Sequence, residues 1–284
     1  MIVAINGNRH QDGHFDDISH LVDFYLRRDD RVVMTDRFLD YLEDRIGGHF
    51  AIGIDRARIT APPRADLAIA IGGDGAFLKT AAWVGDTGTP VAGINTGHLG
   101  FLAAFSFDRK EEIEAHLLSG DYAIDRRSLL QVETPAGTFY ALNELAITRG
   151  ENASMVTVDT CINSHHSLTY KGDGLIIATP TGSTAYNLSV GGPILDPSVA
   201  SWVMSPIAAH SLAVRPLVIN DSSVVEAIVE LRSPTFRFTV DGKSLALPSG
   251  SRLRVSRAPF PLNVVTLPGH TFTDTLRTKL GLGC

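Results

Sequence analysis

Within its first hundred residues the chain alternates short, mainly apolar runs with segments of helical period, and this alternation constrains the fold more than any other feature. Met1 to Ile5, RVVMT (31–35), LAIAI (67–71) and PVAGI (90–94) have strand length and little polar interruption. Between them Ile18, Leu21, Val22, Tyr25 and Leu26 recur at helical spacing, followed by Phe38, Leu39, Leu42 and Ile46, which Gly47-Gly48 stops. GAFLKTAAWVG continues the pattern between the third and fourth runs. Strands apolar on both faces and joined by helices belong to a parallel sheet covered on both sides. Residues 1–103 are therefore expected to form an open α/β domain.

The texture then changes. Asp108, with Glu111 three residues on, reads as a capping arrangement for the helical RKEEIEAHLLSG. LLQVETPAGTFYALNELAITRG reads as a hairpin turning at Pro135-Ala136-Gly137, and MVTVDTCIN, SSVVEAIVEL, TFRFTVDGKSLAL and SRLRVSR continue with strand-like alternation. Residues 104–267 are expected to be mainly β, and FTDTLRTKLG near the end to be a short helix. The 284 residues suit two modest domains. A net charge of -6 argues against a nucleic-acid or anionic-membrane partner, each of which favours a basic face. Two cysteines, Cys161 and Cys284, make no disulfide framework. The polar turn after Ile5 leaves no signal-peptide core, and no apolar run approaches the ~20 residues of a membrane span. These features predict a cytoplasmic protein.

Four stretches are rich in glycine, hydroxyl and acid residues: IGGDGAFLKT (71–80), INTGHLGFL (94–102), LNELAI (142–147) and KGDGLIIATPTGSTAYNLSVGGPI (171–194). The first follows a predicted parallel strand, at the edge where open α/β sheets place ligands. Gly72, Gly73 and Gly75 would let backbone N–H groups face a phosphate at a helix start. Neither G-x-x-x-x-G-K-[ST] nor G-x-G-x-x-G is present. Asp74 beside such a cradle is costly unless it serves a metal ion or a hydroxyl proton, both of which phosphoryl transfer supplies. Capping of the following helix is an equal alternative on this motif alone. The hydroxyl-rich 179–189 segment suits ribose, phosphate and base edges, with Tyr186 able to stack on a base, or else it is a polar helix start. Ser183 lies in TGSTA, not in G-x-S-x-G, so a serine nucleophile is not indicated. Metal-ligand clustering is poor: His165-His166 are adjacent in a turn-like NSHH, and His98 and His210 are isolated.

Together the four stretches resemble the NAD kinase family over nearly the whole chain. GGDG at 72–75 also occurs in other kinases; N-T-G-H-L-G-F at 95–101, Asn143-Glu144 and above all GDGLIIATPTGSTAYNLSVGGPI at 172–194 carry the resemblance. It implies a Rossmann-like α/β N-terminal domain, 1–103 plus 268–284, to which the C-terminal helix returns, and a mainly β NAD-binding domain, 104–267. It implies ATP-dependent phosphorylation of the 2′-hydroxyl of the adenosine ribose of NAD, with a divalent ion, magnesium first. By position, Asp74 would be catalytic, Gly72, Gly73 and Gly75 would face phosphate, and Gly75 would also contact NAD through its backbone. Lys79 would touch phosphate or be a solvated helix lysine. Asn143 and Glu144 would hold ribose or adenine edges, and Lys171 and Asp173 would lie at the nicotinamide side. Thr184, Ala185, Tyr186, Asn187, Leu188 and Ser189 would line the adenosine pocket, and Ala208 would meet substrate through its backbone. Asp241-Gly242 matches a family D-G, but between strand-like segments it reads as a hairpin turn. The resemblance further implies a homodimer or homotetramer. Ala76-Phe77 and Ala209 depart from the family's usual residues. A lipid kinase is disfavoured by the lack of a basic amphipathic helix, and a sugar-phosphate kinase by the lack of an arginine cluster. A non-catalytic NAD(P) sensor stays open.

Overall fold

The computed structural model describes residues 1–284 except 12, 48–49, 51, 61–63, 98–99, 151–154, 270 and 282–284. The chain forms two compact units, Met1–Arg126 with Leu262–Cys284, and Arg127–Pro261. No described helix is long and apolar enough to cross a membrane.

In the first unit, β1 (Ile2–Gly7), β2 (Arg31–Thr35), β3 (Ile54–Ala57), β4 (Leu67–Ile71), β5 (Val91–Asn95) and β6 (Phe105–Ser106) pair in parallel in an eight-stranded sheet. The sheet order is β3-β2-β1-β4-β5, followed by strands Leu262–Thr266 and Ala123–Arg127, with β6 beside β5. Every residue of β4 and β5 is buried, as the unbroken apolar runs require. Helices α1 (Phe15–Leu26), α2 (Asp36–Ile46) and α3 (Asp74–Val84) connect the strands. Ile18, Leu21, Val22, Phe38, Leu39 and Leu42 bury the apolar stripes expected of α1 and α2 in the first core. Strand β3 has a polar sequence and partly exposed residues, so the apolar pattern did not mark it.

The expected helix after Asp108 is irregular: a 3-10 turn over Phe107–Arg109, one α turn, then a π-helical segment Ile113–Leu118. Its cap is Ser106, whose hydroxyl accepts the Asp108 N–H at 3.2 Å, and not Asp108 itself. Past Leu267, the helix Phe272–Leu280 forms as expected and groups with the first unit.

The second unit holds two six-stranded antiparallel sheets. One runs in the order Leu217–Asn220, Ser201–Ile207, Gly174–Ala178, Glu144–Thr148, Thr235–Val240, Lys243–Pro248. The other runs His165–Gly172, Val156–Ile162, Val225–Glu230, Ser251–Arg257, Leu130–Thr134, Gly137–Ala141. Alternating buried positions such as Val156 and Val158, and Val225, Ala227 and Val229, fill its core with Trp202, Phe236 and Phe238. Two hairpins turn as their sequences predict: Thr134 pairs with Gly137 around Pro135-Ala136, and Asp241-Gly242 (φ 44° and 79°) close the hairpin Thr235–Val240/Lys243–Pro248. His165-His166 begin a strand instead of lying in a turn; the turn is Asn163-Ser164, both at positive φ.

Candidate active site

In the first unit, the motif turn joins β4 to α3. Gly72 has φ +130°, and a Cβ there would lie 2.8 Å from Asn8 Nδ2, so the fold itself demands this glycine. Gly73 and Gly75 face open space, and neither has a left-handed backbone. The described residues give no packing reason for those two glycines; they leave the backbone bare to an approaching group.

Gly73 is the N-cap of α3, without a side-chain capping bond. Asp74, the first helical residue, does not cap its own helix: its Oδ2 accepts the Phe101 N–H at 2.9 Å and its Oδ1 the Leu102 N–H at 3.1 Å. The motifs at 72–75 and 95–101 therefore meet on one carboxylate; His98, within the latter, lies outside the described residues. Gly100 makes this possible, since a Cβ there would sit 1.8 Å from Asp74 Oδ1. Each carboxylate oxygen keeps a lone pair after these bonds, so a fixed acceptor remains for one more donor. Lys79 is exposed on α3, with no ion pair among the described residues.

In the second unit, the Thr179–Ser189 segment forms a 3-10 turn, Thr181–Thr184, and a short helical turn, Tyr186–Ser189, packed against Asn143. The Thr179 N–H donates to the Asn143 carbonyl at 2.9 Å, and the Thr179 hydroxyl accepts the Gly182 N–H at 3.1 Å. A Cβ at Gly182 would lie 2.1 Å from the Asn143 oxygen, so glycine is required by close approach. Ser183 is buried, its hydroxyl donating to the Pro180 carbonyl and accepting the Leu195 N–H, which assigns it to the fold and not to nucleophilic chemistry. Asn187 is likewise buried: its amide donates to the Ser183 and Pro193 carbonyls and accepts the Ser205 hydroxyl at 2.6 Å. These bonds use both amide hydrogens and tie Asn187 into the loop. Thr184, Ala185 and Leu188 are half-buried, and Tyr186 and Ser189 are exposed.

Beside that turn sit Asn143 and Glu144. Asn143 Oδ1 and Glu144 Oε2 are buried atoms without a hydrogen-bond partner among the described residues. Such atoms are costly in a native fold and mark places where a ligand donor is expected. Burial pushes the Glu144 carboxyl up to about 7, the neighbouring Asp241 charge adds to this, and an N–H bond from Tyr186 opposes it. Asp241 is also pushed up by burial, against the pull of three backbone N–H bonds from Leu142 (2.7 Å), Asn143 (2.9 Å) and Glu144 (3.1 Å). The hairpin reading of Asp241-Gly242 is correct for the turn and incomplete for the side chain, which fixes the Asn143-Glu144 backbone.

At the other end of strand Gly174–Ala178, about 14 Å away by strand geometry, a second cluster gathers Lys171, Asp173 and Ala208. The Asp173 N–H donates to the Ile207 carbonyl and the His210 N–H to the Lys171 carbonyl. Ala208 takes φ +44°, and Gly172 is so tight against it that a Cβ would lie 2.8 Å from the Ala208 oxygen. Arg149, which sequence reasoning missed, pairs through Nε with Asp173 Oδ1 at 2.7 Å. Its only sequence signal is its place at the end of the LNELAI strand. Among the described residues no group of three or more His, Cys, Asp or Glu forms a metal cluster.

Two family models match the chain: the ATP-NAD kinase N-terminal domain over residues 54–122 and the ATP-NAD kinase C-terminal domain over 142–267. The NAD kinase of Porphyromonas gingivalis is 40% identical over 99% of this chain and 98% of that protein. The NAD kinase of Bacteroides fragilis is 47% identical over 77% of each chain. Among solved structures, yeast NADH kinase complexed with NADH superimposes with a TM-score of 0.82 at 24% identity, covering 100% of this chain and 88% of that one. An Archaeoglobus fulgidus NAD kinase in complex with ATP gives 0.70 at 22% identity and 99% coverage of both chains. These two establish the likeness of fold. With both domain models matched in order and 40% identity sustained from end to end, the chain belongs to the NAD kinase family.

Proposed function

We infer that the chain transfers the γ-phosphoryl group of ATP to the 2′-hydroxyl of the adenosine ribose of NAD, giving NADP and ADP. The observation that carries this is the end-to-end likeness to proteins named NAD kinase, spanning both matched domains. In the reaction the 2′-O–H and the Pγ–O bond to the β-phosphate break, and a 2′-O–P bond forms. ADP leaves with the bridging electron pair, and the proton passes to the Asp74 carboxylate. A ribose hydroxyl is a very weak acid, so Asp74 serves chiefly to align it, with the proton leaving late in a loose transition state.

The two backbone N–H bonds that hold the Asp74 carboxylate support this role by fixing its direction. The bare backbone at Gly73 and Gly75 suits phosphate. Asn143 and Glu144, with unpartnered oxygens, suit the ribose and adenine donors, and the exposed Tyr186 ring suits the base face. Lys171, Asp173 and Ala208, at the far end of the same strand, suit the nicotinamide half. A divalent ion, when bound, would neutralise charge developing on the phosphoryl oxygens. A lone carboxylate would fit an ion held mainly by ATP oxygens and water, the usual setting of magnesium, and Asp74 would be the residue to hold it.

Incubation with ATP, magnesium and NAD, with NADP read by an NADP-specific dehydrogenase, tests the activity. In the same assay Asp74→Asn is expected to lose ~100-fold or more in turnover with NAD binding little changed. Near-normal turnover in that variant would remove Asp74 from the mechanism.

A further inference from the structure

A cation grips the hydroxyl-rich turn from outside it. Arg127, half-buried, donates through Nη1 to the Thr181 hydroxyl at 3.2 Å, across 54 residues of chain. Thr181 is buried and opens the 3-10 turn Thr181–Thr184, so the bond falls on the residue from which the turn starts. The Thr181 carbonyl in turn accepts the Thr184 hydroxyl at 3.4 Å. Arg127, Thr181 and Thr184 are thus joined by two consecutive hydrogen bonds, and Thr184 is the first residue of the segment expected to line the adenosine pocket. All three lie in the second unit.

The far end of the same loop meets the same charge. The Leu195 N–H donates to the Ser183 hydroxyl at 2.9 Å, which brings the residues around Leu195 back to the turn. Two hydrogen bonds from Ser198, at 2.6 and 2.8 Å, draw the neighbouring Asp196 carboxyl below its ordinary range; burial opposes them, and the Arg127 charge adds to the pull. The bonds that Thr179, Ser183 and Asn187 make join neutral groups. The Arg127 bond has an ionised donor, and bonds of that class are about twice as strong.

We propose that Arg127 is a positioning residue for the adenosine of NAD: its guanidinium holds Thr181, and through Thr181 it sets where Thr184 and the residues after it stand. It acts through the turn and not by contact with substrate. Without Arg127 the first turn can shift while the loop stays closed, since the Ser183 and Asn187 bonds remain. The cost then falls on NAD binding, because the ligand has to order a turn that is no longer held in place. Phosphoryl transfer from seated NAD is spared. The proposal rests on the kinase reading above for the identity of the ligand.

Its test is titration calorimetry of NAD on the full chain, with steady-state kinetics alongside. Arg127→Met should weaken NAD binding ~10-fold, the scale of one charge-assisted hydrogen bond. Its kcat at saturating NAD and its KM for ATP should each stay within about twofold of the wild type. Thr181→Val, which deletes the hydroxyl and keeps the side-chain shape, should give the same loss. The double variant should lose no more than either single one, because both remove the same bond. Arg126→Met, an exposed neighbour of the same charge, should match the wild type. All variants are compared by thermal unfolding; if Arg127→Met unfolds early, Thr181→Val decides alone. Unchanged NAD affinity in a folded Arg127→Met or in Thr181→Val, or losses that add in the double variant, overturns the proposal. Early unfolding of both single variants assigns the bond to the fold alone and overturns it too. A wild-type chain that binds NAD but makes no NADP overturns the kinase reading instead and leaves the binding result standing.

Discussion

Glu144 makes the folded chain's stability depend on pH in a window where most carboxylates have finished titrating. Its pKa rises from the ordinary 4.5 to about 7 through burial and the Asp241 charge. Each pKa unit is worth about 1.4 kcal/mol, so the folded chain holds this proton about 3 kcal/mol more tightly than the unfolded chain. Below pH 4.5 both states are protonated and the contribution is fully present. As pH rises the unfolded chain ionises first, and the contribution is gone once the folded carboxyl has ionised above about 7. Between pH 5 and 8 the loss is about 2.5 kcal/mol, and Glu144→Gln, always neutral and close in shape, should not suffer it. Urea unfolding of both proteins at pH 5 and pH 8, followed by circular dichroism, measures the difference. The variant should gain about 2.5 kcal/mol on the wild type between the two pH values. A difference between the two proteins that does not move with pH would refute the reasoning.

Two further substitutions test the supports of the site. Gly100→Ala would place a Cβ 1.8 Å from Asp74 Oδ1 and push the carboxylate off the Phe101 and Leu102 N–H groups. Turnover should fall by about 100-fold, the scale of a 1 Å misplacement, with NAD affinity nearly kept, as titration calorimetry and the coupled assay would show. Asp241→Ala would strip three backbone N–H groups of their acceptor. It should cost about 3 kcal/mol or more, lower Tm by about 10 °C and raise the KM for NAD, because Asn143 and Glu144 lose the carboxylate that fixes their backbone.

Much of the scaffold can be read from the chain alone. The LAIAI run is a strand buried throughout because both faces of a parallel sheet are covered, and α1 and α2 bury the residues that recur at helical spacing. Asp241-Gly242 closes a hairpin because two consecutive positive φ angles favour that pair. Local period cannot name a strand's partner. Leu262–Thr266 therefore looks like one more β segment of the second domain, yet it pairs in parallel with β5.

The site divides the same way. The glycine- and hydroxyl-rich motifs mark Asp74, Asn143, Glu144 and the Thr184–Ser189 turn by composition, since backbone that must meet phosphate or ribose needs small and hydroxyl residues wherever it occurs. Which atoms are already spent is a matter of three-dimensional placement. Asn187 is consumed by the loop it belongs to, while Asn143 Oδ1 and Glu144 Oε2 are left without partners. Asp74 is held by Phe101 and Leu102, 27 and 28 residues away, and Asp241 reaches back 97 to 99 residues to the Leu142, Asn143 and Glu144 backbone. The sequence by itself determined the elements and the reacting residue types, because these follow from local periodicity and side-chain chemistry. Only the tertiary structure decided the direction of Asp74 and the burial of the Glu144 carboxyl, because hydrogen bonds and burial act across space and not along the chain.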